Sequence, residues 1–215
     1  MMKRTALAGA AALAVATGAA AQDASRKVKT AAFLETVATR GVACGHMKDW
    51  QAATLRALNI RDMANWPRER REAFIAAAED QIAETACDDE AMTLWIDASR
   101  PGFEREMLPP YLVAYRTLAG YDDPPNVFTQ TAVRLRYGSA VRRIDAKLEA
   151  IKASGARPEG GGSWPDYEAR TASFVRGFVA TLADDDADPA DVAEAAGWIA
   201  QTAHVIELWL ADEPE

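Results

Sequence analysis

Apolar residues recur at intervals of three and four along most of the chain, the spacing that lines one side of an α-helix. No stretch alternates in the manner of a half-buried strand. The clearest run is Val133, Tyr137, Ala140, Val141, Ile144, Leu148 and Ile151. Ser154-Gly155 follows it, and glycine suits the left-handed turn beyond a helix end. A second run, Tyr167, Thr171, Phe174, Phe178 and Leu182, opens at Ser163-Trp164-Pro165-Asp166. There Ser163 can cap the first turn and Asp166 can return a bond from the third helical position. The last helix begins Asp188-Pro189-Ala190-Asp191, a cap followed by proline where a missing N–H does no harm. Val192, Ala196, Ile199, Ala203, Ile206 and Leu210 form its stripe, widened by Trp198, Val205 and Trp209. A stripe that wide is expected to pack on two neighbours.

Shorter helices are expected near 26–46, 49–59, 67–86, 89–98 and 103–119, the last broken at Pro109-Pro110. Arg157-Pro158-Glu159-Gly160-Gly161-Gly162 reads as the flexible centre of a loop over 154–163. Too few residues follow that loop to build a core of their own. The pattern therefore predicts one all-α, bundle-like domain over 22–215, with about seven to eight helices.

The N-terminus differs in kind. Lys3-Arg4 precede an uncharged, alanine-rich run from Thr5 to Ala21 that closes on Ala19-Ala20-Ala21. A basic head, an apolar middle and small residues at the end make a secretory signal peptide over residues 1–21, cleaved after Ala21. A membrane anchor needs roughly 20 strongly apolar residues, and this run is shorter and leans on alanine. No cysteine follows the small-residue box, which argues against a lipid anchor. The expected location is a bacterial periplasm or the medium outside it, with no stable membrane insertion of the mature chain.

Composition narrows the partners. The 215 residues carry 24 Lys+Arg against 32 Asp+Glu, a net charge of −8, and cleavage would remove Lys3 and Arg4 but no acid. Such an acidic chain lacks the basic face of a nucleic-acid binder. The only cysteines, Cys44 and Cys87, stand 43 residues apart and are expected to pair in an oxidising compartment. Cys44-Gly45-His46-Met47 offers copper three soft ligand types, but it would need a reduced thiol, and no second cluster completes a site. No cofactor is expected.

Three polar groupings are candidates for chemistry. Arg136, Arg143 and Lys147 fall along one helix edge and form a candidate anion site, with local pairing of Arg142 to Asp145 and Glu149 to Lys152 as the plainer account. Asp184, Asp186 and Asp188 open like a calcium loop and form a candidate cation site. Pro189 and Ala195, however, stand where such a loop needs glycine and a bidentate acid. Glu104 and Glu106 flank Arg105, and either is a candidate general acid for a cell-wall hydrolase, although no second placed carboxylate accompanies them. His204 lies beside the small residues Ala193, Gly197 and Ala200, suggesting a close helix crossing or open solvent. The six tryptophans, Trp50, Trp66, Trp95, Trp164, Trp198 and Trp209, read as core before groove. No Gly-x-Ser-x-Gly elbow or Cys–His pair is available. The expectation is an exported, non-enzymatic domain that acts by contact with a protein or a small ligand. Peptidoglycan hydrolysis through Glu104 or Glu106 and a calcium-stabilised domain are the alternatives.

Overall fold

The computed structural model of the protein describes residues 6–63, 65–120 and 133–213, with side chains from Gln22 onward and, in the sixth helix, from Gly138. Among these residues there is no strand. The helices are α1 (Ala6–Ala43), α2 (Asp49–Met63), α3 (Arg68–Glu84), α4 (Glu90–Gly102), α5 (Leu108–Ala119), α6 (Val133–Ala153), α7 (Trp164–Ala183) and α8 (Pro189–Asp212). A π turn, Phe103–Met107, joins α4 to α5 in one continuous rod, so the described chain forms seven rods. No described helix is long and apolar enough to cross a membrane.

α1 packs on α2 and α3, α2 packs on α8, and α8 in turn meets α5 and α7. α8 thus packs on three helices rather than the two expected, with Ala195 and Thr202 buried outside the expected stripe. The core centres on Trp50, Leu55, Phe103, Leu108, Leu112, Ile144, Leu148 and Trp209. Trp50 meets Phe103 edge to face with centroids 6.1 Å apart, an arrangement that aligns ring edge with ring face.

Local signals set most of the ends. Ser163 Oγ accepts from Asp166 N at 3.3 Å, Asp188 Oδ1 from Ala190 N at 2.8 Å, and Asp89 Oδ1 from Met92 N at 2.8 Å. Gly155 ends α6 at φ 75°. α1 stops at Ala43, three residues short of the expected 46. His46 N donates to Gly41 O and Gly45 N to Val42 O, with Gly45 at φ 74°, a Schellman closure that only a left-handed residue permits. At its other end α1 begins at Ala6 rather than near 26, since alanine favours helix and no stop signal lies between. Gly41 sits at a close approach: a Cβ there would stand 3.0 Å from Met47 Cβ, so that neighbour would have to give way.

The expected break at Pro109-Pro110 falls elsewhere. Proline lacks an N–H, so neither residue can donate into the turn before it. The chain absorbs the loss upstream, where Leu108 N–H reaches back five residues to Phe103 O and the π turn widens the rod. Phe103 and Leu108 stay buried across it.

Cys44 and Cys87 form a disulfide, Cα to Cα 5.4 Å, tying the end of α1 to the loop between α3 and α4. His46 Nε2 lies 3.1 Å from Cys87 O beside the bridge, and Arg40 Nε donates to Ile82 O at 2.9 Å, placing a cation at the C-terminal end of α3. Cys44 sulfur is thus committed to the bridge, and Met47 is buried in the core rather than turned toward His46 as a ligand set would need.

Candidate functional site

α2 and α8 run antiparallel. Lys48 Nζ, just before α2, pairs with Asp212 Oδ2 near the end of α8 at 2.7 Å, and Trp50 and Leu208 line the same corner. At the opposite end, the last turns of α2, the first turns of α3 and the first half of α8 surround a groove of about 340 Å³. α2 contributes Ala57, Ile60 and Arg61, and α3 contributes Arg71. α8 contributes Ala190, Ala193, Glu194, Gly197, Trp198 and Gln201. Helical spacing puts Ala190, Ala193 and Gly197 on one side of α8, and their small side chains leave the space open.

Aromatic rings back the groove at Trp198. Its indole stacks on Tyr111 at 6.3 Å and 14°, tilts against Phe178 at 5.4 Å, and meets Phe174 edge-on at 5.3 Å. Ile60 is 41 % exposed and Phe174 49 %, so apolar surface stays in water on both sides of that indole. The α7 run was expected to share one apolar face. Instead Tyr167 and Val175 are buried, while Phe174 turns out toward Trp198. Burial pushes the Tyr111 phenol up to about 12, with Arg61 pulling it back and Glu159 adding to the rise, so it stays neutral at physiological pH.

The rim is polar. Arg61 lies 3.8 Å from Asp62, both more than half exposed, a pairing worth little in water. Among the described residues, Arg71 and Glu194 have no opposite charge within ion-pair distance. The described lining holds one carboxylate and no hydroxyl, thiol or imidazole. That chemistry can orient a ligand by charge and apolar contact.

The residues singled out in the sequence lie elsewhere. Arg143 and Lys147 do come together, at the C-terminal end of α8: Arg143 donates to the carbonyls of Leu210 and Glu213, and Lys147 pairs with Glu213 and Glu104, each at 3.3 Å. The Arg136 side chain lies outside the described residues. Asp184 Oδ1 accepts from Asp186 N at 3.0 Å and Asp188 caps α8, so these carboxylates serve the turn between α7 and α8. Among the described residues, no group of three acidic, histidine or cysteine side chains is placed to hold a metal. Glu104 is exposed on the π turn in its pair with Lys147, Glu106 is exposed beside it, and neither borders the groove. His204 is exposed.

A second charged cluster ties α5, α6 and α7 together. Glu168, with its side chain 21 % exposed, accepts from Arg116 at 2.8 Å and pairs with Lys152; Arg116 also reaches Asp145 at 3.3 Å. Burial by itself would raise the Glu168 pKa, but the bonds from Lys152 and Arg116 outweigh it and hold the carboxyl below its ordinary value.

Ile60, Arg61, Arg71 and Glu194 carried no signal in the sequence, because three separate helices bring them together. The small residues Ala193 and Gly197 beside His204 were the available clue, together with Trp198 interrupting them. Comparison with protein-family models, with curated proteins and with solved structures finds no match.

Proposed function

We propose that the protein is an exported, non-enzymatic binding domain that takes a small ligand into the groove between α2, α3 and α8. The observation that supports this reading is the groove itself: concave, floored by alanine and glycine, backed by Trp198, and bordered by Ile60 left in water. Ligand sites are concavities of this kind, mostly apolar with a few placed polar groups. Its described lining offers charge and shape, without the nucleophile and base that a hydrolase would need.

Gly197→Phe tests the reading. A Cβ added at Gly197 meets nothing within 4 Å, so the new ring enters open space while helix propensity improves. Decan-1-ol is expected to bind the native protein saturably, by calorimetry and by saturation-transfer NMR, and to lose that binding in the variant while the melt stays intact. Equal binding to both proteins would refute the groove. Export is tested by expressing the full chain in a bacterium and sequencing the N-terminus from the periplasmic fraction. Gln22 is the expected first residue; a chain kept in the cytoplasm with Met1 in place would refute it.

A further inference from the structure

We infer that the ligand of this groove is a small anionic amphiphile, an apolar chain or ring ending in a carboxylate, seated with its head on Arg61 and Arg71. The inference rests on the groove being the binding site and adds the class of molecule. Size comes first: 340 Å³ is the liquid volume of roughly eleven waters, room for a body of about a dozen non-hydrogen atoms. Charge comes next. The chain as a whole is acidic, at −8, and would draw cations by its general field. Against that field the described lining of the groove sets two guanidinium groups, one from the last turn of α2 and one from the start of α3, with a single carboxylate, Glu194, on the facing helix.

Among the described residues, neither guanidinium is saturated. Arg61 has only the loose 3.8 Å contact with exposed Asp62, and Arg71 has no carboxylate within ion-pair distance among the described residues. A guanidinium fork matches a carboxylate in two parallel bonds, which a neutral hydroxyl does not exploit. Glu194 turns the head away from α8 and so fixes the direction of the ligand: charge toward α2 and α3, apolar body along Ile60 and Trp198. A cationic head on Glu194 would face both arginines.

Three probes with one chain and different heads test this: decanoate, decan-1-ol and decyltrimethylammonium. The native protein is expected to bind decanoate at least about tenfold more tightly than decan-1-ol, the lower end for charge-assisted bonds, and the cation most weakly. In the double variant Arg61→Gln, Arg71→Gln the preference for decanoate should collapse while decan-1-ol binding persists. Both positions are exposed, so the fold should be unaffected. Equal affinity for decanoate and decan-1-ol, a preference that survives the double variant, or tightest binding of the cation would overturn the anionic ligand and leave the groove standing. Absence of binding by all three, or binding unchanged in Gly197→Phe, would overturn the groove and this inference with it.

Discussion

Removing the Cys44–Cys87 bridge should cost the protein about 4 kcal/mol, the chain-entropy value for a closed loop of 43 residues. That loop contains α2 and α3 whole. In the folded molecule several contacts hold the same elements without help from sulfur: Arg40 on the Ile82 carbonyl at 2.9 Å, Asn59 Nδ2 on Ala31 O at 3.0 Å, and the packing of α1 on α3. The native state should therefore survive the double change Cys44→Ser, Cys87→Ser with its helices in place, and the loss should fall on the unfolded chain, which gains freedom. Against a typical net stability of about 5–15 kcal/mol the variant stays folded with a reduced margin. Urea melts followed by circular dichroism should move to a lower midpoint by about 2 M if the slope is near 2 kcal/mol/M. The melting temperature should fall by about 8–16 °C for a domain of this size. Native protein treated with reductant should behave as the double variant does. A midpoint shift below about 0.5 M would refute the entropic reasoning. Loss of helix in the absence of urea would instead show that the bridge holds the native contacts themselves.

Other perturbations follow from the same structure. Glu168→Gln should cost on the order of 1–2 kcal/mol, a partly exposed carboxylate between two cations being worth less than a buried one. Because the folded pKa of Glu168 is lowered, its contribution is complete above the usual carboxylate value near 4.3 and fades as pH falls through the lower folded value. The native stability profile should therefore drop in acid, and the variant's should drop less, as acid titration of the melt would report. Gly45→Ala forces a Cβ onto φ 74° and should destabilise by about 1–2 kcal/mol in the same denaturation assay. Arg143→Ala uncovers the carbonyls of Leu210 and Glu213, so amide exchange should quicken in the last turn of α8 and stay unchanged at its start. Millimolar calcium should leave the melting temperature where it was, since Asp184 and Asp188 already serve backbone amides.

Helix ends were legible where a capping residue marked them. Ser163, Asp188 and Gly155 act within a turn of themselves, so spacing alone located those helix ends. The α1 stop was three residues off because the apolar period runs on past Gly45, while the backbone there must turn left. The Pro109-Pro110 break moved because proline removes donors for residues that precede it, and the strain was taken up one turn earlier. The groove was illegible for a different reason. Arg61 and Arg71 read as ordinary surface charges until α8 is laid against them, and Phe174 keeps the period of a core residue while standing half in water. Arg143 and Lys147 shared an edge on paper, but nothing near them named the end of α8 as their counterpart.

The π turn at Phe103–Met107 also sets the phase between two halves of one rod. It accommodates one residue more than an α turn would, so deleting a single residue there would let α4 run into α5 in unbroken register. At 3.6 residues per turn, forcing the full-length stretch into a regular α-helix would instead swing everything beyond it by about 100°. Leu112, Tyr115 and Leu118 would leave the interior, and Arg116 would swing away from Glu168. The wide turn absorbs the surplus residue where it stands, so removing one residue here should be better tolerated than a change that keeps all five and tightens the turn to α form.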